Sequence, residues 1–283
     1  MNAAAENRNE ALQVFAKGRS FLLAGGLILL FAPALVRLAN VWNSQEDYSH
    51  GFFVIPISLF LAWRQRNRIQ RTPVKPAWAG TPVFFMGLLV YVVSFSAKFH
   101  TLAYYSIPLV LFGLFLSLCG MGIARPLLVP ILFLFFMFPI PSAYYVQITH
   151  PMKLLVTEAS VEVIRLIGLP VFRDGNLLFL ARTELEVTEA CSGIRSLYAY
   201  VMLGCLFASL SRGWIKKAAM VALPVPIALA VNVVRVTGTA ILSNAFGPEA
   251  AQGFFHEFTG FVFFLVGFVI LCAFHSLIHR RRV

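Results

Sequence analysis

The sequence predicts an all-α polytopic membrane protein of about eight transmembrane helices, with an amphipathic helix and a short extended segment on its outer face. Three observations carry this. Hydrophobic residues fill 59% of the 283 positions and charged residues 12%, against roughly 45–50% and 25% in a soluble domain. With a mean hydropathy of +0.79, the chain cannot clothe itself in polar surface, which excludes a soluble globular enzyme. Apolar runs recur at the length of a bilayer crossing, and basic residues gather at alternate ends of them.

Runs bounded by charge or by Gly/Pro clusters place spans near 20–41, 51–65, 80–97, 102–119, 124–141, 192–210, 216–240 and 257–278. The second is short and the fifth is flanked by proline, so a tilted or re-entrant path is open to both. The first is no cleavable signal peptide: it is too long, Arg37 lies within it, and no small-residue cleavage site follows. The organisation expected is a cytoplasmic segment 1–19, a transmembrane domain 20–279 and a basic cytoplasmic tail 280–283. No internal repeat or low-complexity tract interrupts it.

Charge sets the orientation. With the N-terminus cytoplasmic, the inner segments hold 15 of the 23 Lys and Arg but only Glu6 and Glu10 of the acids. The outer side and outer span ends share the other eight basic residues with ten acidic ones. The imbalance follows the positive-inside rule, so the +11 net charge reports topology rather than a nucleic-acid partner. Both termini are expected in the cytoplasm, which requires an even number of spans.

The largest outer segment is 142–191. In 151–168, apolar residues at Leu154, Leu155, Val161, Ile164 and Leu166 recur at roughly helical spacing, as in a helix lying on the membrane face. Asp174-Gly175-Asn176 is a turn signal, and Asn176 to Val187 reads as extended, with polar and apolar residues alternating from Glu184.

The polar residues of chemical interest fall near this outer side. Three cysteines (Cys119, Cys205, Cys272) sit inside apolar runs as small buried hydrophobes. Cys191 differs: in Glu189-Ala190-Cys191-Ser192-Gly193-Ile194-Arg195 it stands where an extended segment turns into the sixth span. The positive end of a helix favours thiolate there, and Arg195, four residues on, adds to that field. Composition alone leaves a catalytic and a structural role for Cys191 equally open. Asn232 and Arg235, three apart, share a face of an otherwise apolar helix, and an intramembrane Arg is a functional candidate or the partner of a carboxylate. His256 opens the eighth span; its surroundings, His256-Glu257-Phe258-Thr259-Gly260, lack the second histidine of a zinc-protease motif. With no CxxC pair and no His-rich tract, no metal or cofactor is expected.

Depth brings three of these residues to one level. A rise of 1.5 Å per residue puts Cys191 about 31 Å above Arg212, Arg235 about 27 Å above Lys217 and His256 about 36 Å above Arg280. In a hydrocarbon core of about 30 Å, all three lie at the outer interface.

Four motifs in this order resemble the exosortase/archaeosortase family of membrane-embedded cysteine transpeptidases, in its bacterial exosortase branch. They are Asp47-Tyr48-Ser49-His50-Gly51, Glu189-Ala190-Cys191-Ser192-Gly193, Asn232-x-x-Arg235, and His256 followed by Gly260. The resemblance implies a catalytic triad of Cys191, Arg235 and His256, the histidine being what separates the bacterial branch from the archaeal one. Arg195 and Asn232 would tune the thiolate and orient Arg235, while Glu189 and His50 belong to the motifs without an assigned step. It also implies substrates with a Pro-Glu-Pro-type C-terminal sorting signal, a transmembrane helix and a basic tail. The setting implied is the inner membrane of Gram-negative bacteria, often beside exopolysaccharide production. The competing readings are a transporter or flippase with Asn232 and Arg235 lining a polar path, and a structural component of a polysaccharide export system.

Overall fold

The computed structural model describes the backbone of residues 2–188, 193–247 and 254–280, with side chains at 22, 23, 25–188, 193–247 and 258–279. Helices dominate because a chain in lipid must satisfy its own backbone polar groups. The chain divides into two compact units, Met1–Pro139 and Ile140–Val283.

The first unit contains α1 (Asn2–Ser44), a 3₁₀ turn Glu46–Tyr48, α2 (Gly51–Arg64), α3 (Arg66–Gln70), α4 (Gly80–Ser96), α5 (His100–Cys119), α6 (Met121–Phe133) and a 3₁₀ turn Leu134–Met137. Helices α4 and α5 form a hairpin that packs at glycine. A Cβ on Gly113 would sit 2.4 Å from the Phe84 backbone nitrogen, and one on Gly80 2.1 Å from that of Ser117. Small residues at such a crossing let two backbones approach in lipid, where close packing rather than exclusion of water drives association.

The second unit contains α7 (Ser142–Leu166), strands β1 (Val171–Asp174), β2 (Leu177–Leu180) and β3 (Glu184–Glu186), then α8 (Ile194–Leu210), α9 (Trp214–Ala222), α10 (Pro224–Phe246) and α11 (Phe254–Arg280). The strands form one antiparallel sheet in the order β1-β2-β3. β1 and β2 pair across Gly175-Asn176, with Asp174 opposite Leu177 and Gly175 at φ +60°, a tight hairpin that favours glycine. The inner faces of α7, the sheet and α10 meet in an apolar cluster of Val156, Val161, Leu178, Val187 and Val236. Ser160 Oγ reinforces it by donating to the Val233 carbonyl at 3.4 Å.

Each of the eight expected windows holds helix, and the all-α polytopic class stands. The number of full crossings is less direct. Four stretches among the described residues are long and apolar enough to span: Gly25–Ser44, His100–Cys119, Trp214–Phe246 and Phe258–His279. Helices α2, α4, α6 and α8, of 14, 17, 13 and 17 residues, rise only about 20–26 Å at 1.5 Å per residue. That is less than a bilayer core of about 30 Å. The helix expected over 151–168 begins nine residues earlier, since Pro151 lies inside α7. Strand β1 precedes the expected extended segment.

Candidate active site

The described part of the site is built on the middle of α10. Asn232, 4% exposed, and half-buried Arg235 stand about one turn apart on it. Each meets a glycine of another helix at its N-terminal end. A Cβ on Gly193, the residue before α8, would lie 2.9 Å from Asn232 Cγ and Nδ2. Gly193 also holds φ +79°, so both space and backbone exclude a larger residue. A Cβ on Gly260 of α11 would lie 3.2 Å from Arg235 Nη2 and 3.4 Å from its Cζ. The guanidinium thus lies against the α11 backbone where a side chain would otherwise stand.

The chain that enters α8 is anchored on its other side as well. Val187, just past β3, is buried in the cluster with Val236. Its N–H donates to the Asn176 carbonyl at 2.9 Å, and Asn176 Nδ2 donates back to the Val187 carbonyl at 3.2 Å. The β2–β3 turn is tied to the C-terminal end of α10: Arg182 N–H donates to Asn244 Oδ1 at 3.2 Å, and the Thr183 and Ser243 hydroxyls lie 3.1 Å apart.

A buried brace fixes α8 against α11. The Tyr200 hydroxyl donates to the Phe264 carbonyl at 2.8 Å and approaches that of Phe263 at 3.3 Å. Its ring stacks on Phe264 at 5.4 Å. Gly267 makes room for it, since a Cβ there would meet the Tyr200 hydroxyl oxygen at 2.2 Å. At the far end of α11, the Lys216 ammonium donates to the Ile278 carbonyl, a cation at a helix C-terminus where the dipole favours it. Arg235 therefore meets α11 near one end and Lys216 near the other.

Of the expected site residues, Asn232 and Arg235 are brought to the starts of α8 and α11. Arg195 is exposed in the first turn of α8. Cys191 and Glu189 lie outside the described residues. Position 256 lies in the first turn of α11, four residues and so about 6 Å before Gly260 on the same helix face. Cys119, Cys205 and Cys272 are half-buried free thiols within helices.

His50 belongs to the first unit. Its Nε2 lies 3.1 Å from the Phe136 carbonyl, which can only accept. Burial pushes its pKa below the ordinary histidine value, opposed by the Phe136 and Asp47 backbones and the Asp47 charge. Nε2–H therefore donates to the Phe136 carbonyl at the start of α2, a helix that begins at Gly51 against Trp42. The Trp42 indole in turn donates to the Met137 carbonyl at 2.8 Å.

The family of transmembrane exosortases has a model that matches residues 42–273. The chain belongs to the exosortase family. Membership carries exosortase-type function in its broad sense, that of a membrane peptidase or transpeptidase acting on membrane-protein substrates. The match spans the Asp47–Gly51 motif, the segment before α8, Asn232 and Arg235 on α10, and the start of α11. No curated protein and no solved structure matches the chain. The glycine contacts were not legible beforehand: Gly193 and Gly260 stand in the motifs, but nothing in sequence says that each receives a side chain of α10.

Proposed function

We propose that this exosortase-family protein is a cysteine transpeptidase that cuts the C-terminal sorting signal of exported proteins and passes them to an acceptor. The observation that carries the reading is the pair of α10 contacts, Asn232 on Gly193 and Arg235 on Gly260. Cys191 is two residues from Gly193, and two residues span at most about 7 Å. His256 is one helical turn from Gly260. These contacts support a site in which α10 gathers Cys191, Arg235 and His256.

In the proposed reaction the Cys191 thiolate attacks the scissile carbonyl carbon. The tetrahedral oxyanion is held by the Arg235 guanidinium, whose planar fork suits an oxygen carrying developing charge. As the C–N bond breaks, His256 gives a proton to the departing amine, releasing the tail and leaving a thioester on Cys191. The neutral imidazole then takes a proton from an acceptor nucleophile, which attacks the thioester and frees the thiolate. Asn232 orients Arg235, and Arg195 adds positive field near the thiol.

The substrate class proposed is a membrane-anchored protein ending in a Pro-Glu-Pro-type motif, a transmembrane helix and a basic tail. It reaches the site by lateral diffusion. The proposed setting is the bacterial inner membrane with both termini cytoplasmic and the site outside. The contact of Lys216 with the last turns of α11 supports one level for two of the basic clusters, opposite the Arg235 end.

Co-expression with a tagged substrate of this kind tests the proposal. Cys191→Ser is expected to abolish processing, while a variant with Ala at Cys119, Cys205 and Cys272 still processes. Cleavage by the Cys191→Ser protein would overturn nucleophilic catalysis by this thiol.

A further inference from the structure

Arg37 lies in the candidate span Gly25–Ser44, seven residues before its end, and its side chain is exposed. A cation on the lipid face of a spanning helix must reach an anion or water. Neither ion pair seen among the described residues includes Arg37. Among the described residues, the hydrogen-bond contact of its side chain is instead with another basic group: Nη1 lies 3.4 Å from His100 Nε2 at the start of α5. The Phe95 ring forms a floor under both, 6.0 Å from the guanidinium carbon and 5.5 Å from the imidazole.

The protonation of this pair is informative. A guanidinium has no lone pair to accept with, so Nε2 must accept from it. The imidazole proton is then left on Nδ1, which is buried and finds no partner among the described residues. Orphaned buried N–H donors are rare, whereas an unused acceptor is tolerated more readily. An anionic oxygen taking one hydrogen bond from Arg37 and one from Nε2–H removes the conflict, because Nδ1 then carries no proton. Two residues before His100, exposed Lys98 holds φ +63°, a conformation that non-glycine residues rarely adopt. It adds a second cation, beside Arg37, to the turn that leads into His100.

What lies below the cluster identifies the anion's carrier. Leu22, Leu29 and Val36, exposed by 77, 77 and 61%, recur every seven residues and so form one stripe along α1. The stripe runs about 21 Å down the helix from beside Arg37, of the order of an extended acyl chain. We propose that Arg37, His100 and Lys98 form a binding site for the phosphate of an anionic phospholipid whose acyl chains lie on the Leu22–Leu29–Val36 stripe. The site is independent of the peptidase chemistry and lies wholly within the first unit.

Native mass spectrometry of the full chain in detergent, titrated with phosphatidylglycerol, diacylglycerol or inorganic phosphate, tests it. Phosphatidylglycerol should bind, and Arg37→Gln should weaken it about five- to tenfold, the scale of one basic residue at an anionic membrane surface. Lys98→Gln alters an exposed turn and should weaken it about threefold or more by the same attraction, keeping the test decisive should Arg37→Gln fail to accumulate. Diacylglycerol bound as tightly as phosphatidylglycerol would refute the phosphate contact. Inorganic phosphate bound as tightly would refute the lipid. Unchanged lipid affinity in either variant would overturn the site.

Discussion

Arg235 and the two glycines show how single atoms set this site. If Arg235 serves only to balance a carboxylate, Arg235→Lys keeps the charge and much of the activity. In the proposed role the planar fork is required, and an ammonium cannot supply it. The Lys variant is therefore expected to insert normally yet process substrate at least about 100-fold more slowly, the typical effect of losing one oxyanion donor. Rates measured at matched protein levels check this. Gly260 and Gly267 give a second, paired expectation. An added methyl at Gly260 meets only the far end of Arg235, at 3.2–3.4 Å, so Gly260→Ala should leave thermal stability nearly unchanged while lowering the rate. At Gly267 the methyl meets the Tyr200 ring and hydroxyl at 2.2–2.8 Å and displaces its hydrogen bond to Phe264. Gly267→Ala should lose about 1–3 kcal/mol of stability, the usual penalty for overpacking a filled site. Thermal melts of both variants beside processing rates separate the two effects.

At the scale of elements, hydropathy placed helix in every expected window because apolar runs and their charged ends are local properties of the chain. Length within those windows was harder. Helix α2 is bounded by polar residues, Ser49-His50 before it and Gln65-Arg66 after it, whereas at the end of α6 Phe133 passes into a 3₁₀ turn within an unbroken apolar stretch. The start of α7 was misplaced because Pro151 reads as a first-turn residue, where its missing N–H costs nothing. Here it sits inside the helix, and Ser142 to His150 gave no periodic apolar signal. Strand β1 was missed since only four residues separate Pro170 from Gly175, too few for alternation to register. Its partner could be read from Asp174-Gly175-Asn176 and the alternation after it. Of the site, the residue types and the order of motifs were visible; the contacts of α10 with Gly193 and Gly260 depend on helix packing and were not.

For the molecule as a whole, the proposed orientation rests on charge asymmetry. The orientation proposed from it expects single cysteines at positions 45, 174 and 250 to react with a membrane-impermeant thiol reagent applied outside, and those at 70 and 214 to stay unlabelled. Outside labelling of 70 or 214 in intact cells would invert the topology and move the Arg235 end of the bundle to the cytoplasm. The central claim, that α10 assembles a cysteine peptidase site around Cys191, is tested most directly by trapping its covalent intermediate. Purified protein mixed with a sorting-signal peptide and quenched in acid should carry the mass of the peptide's N-terminal fragment. That adduct should map to Cys191, be released by hydroxylamine and be absent from Cys191→Ala. A substrate cut without any adduct, or an adduct that persists in Cys191→Ala, would contradict the account.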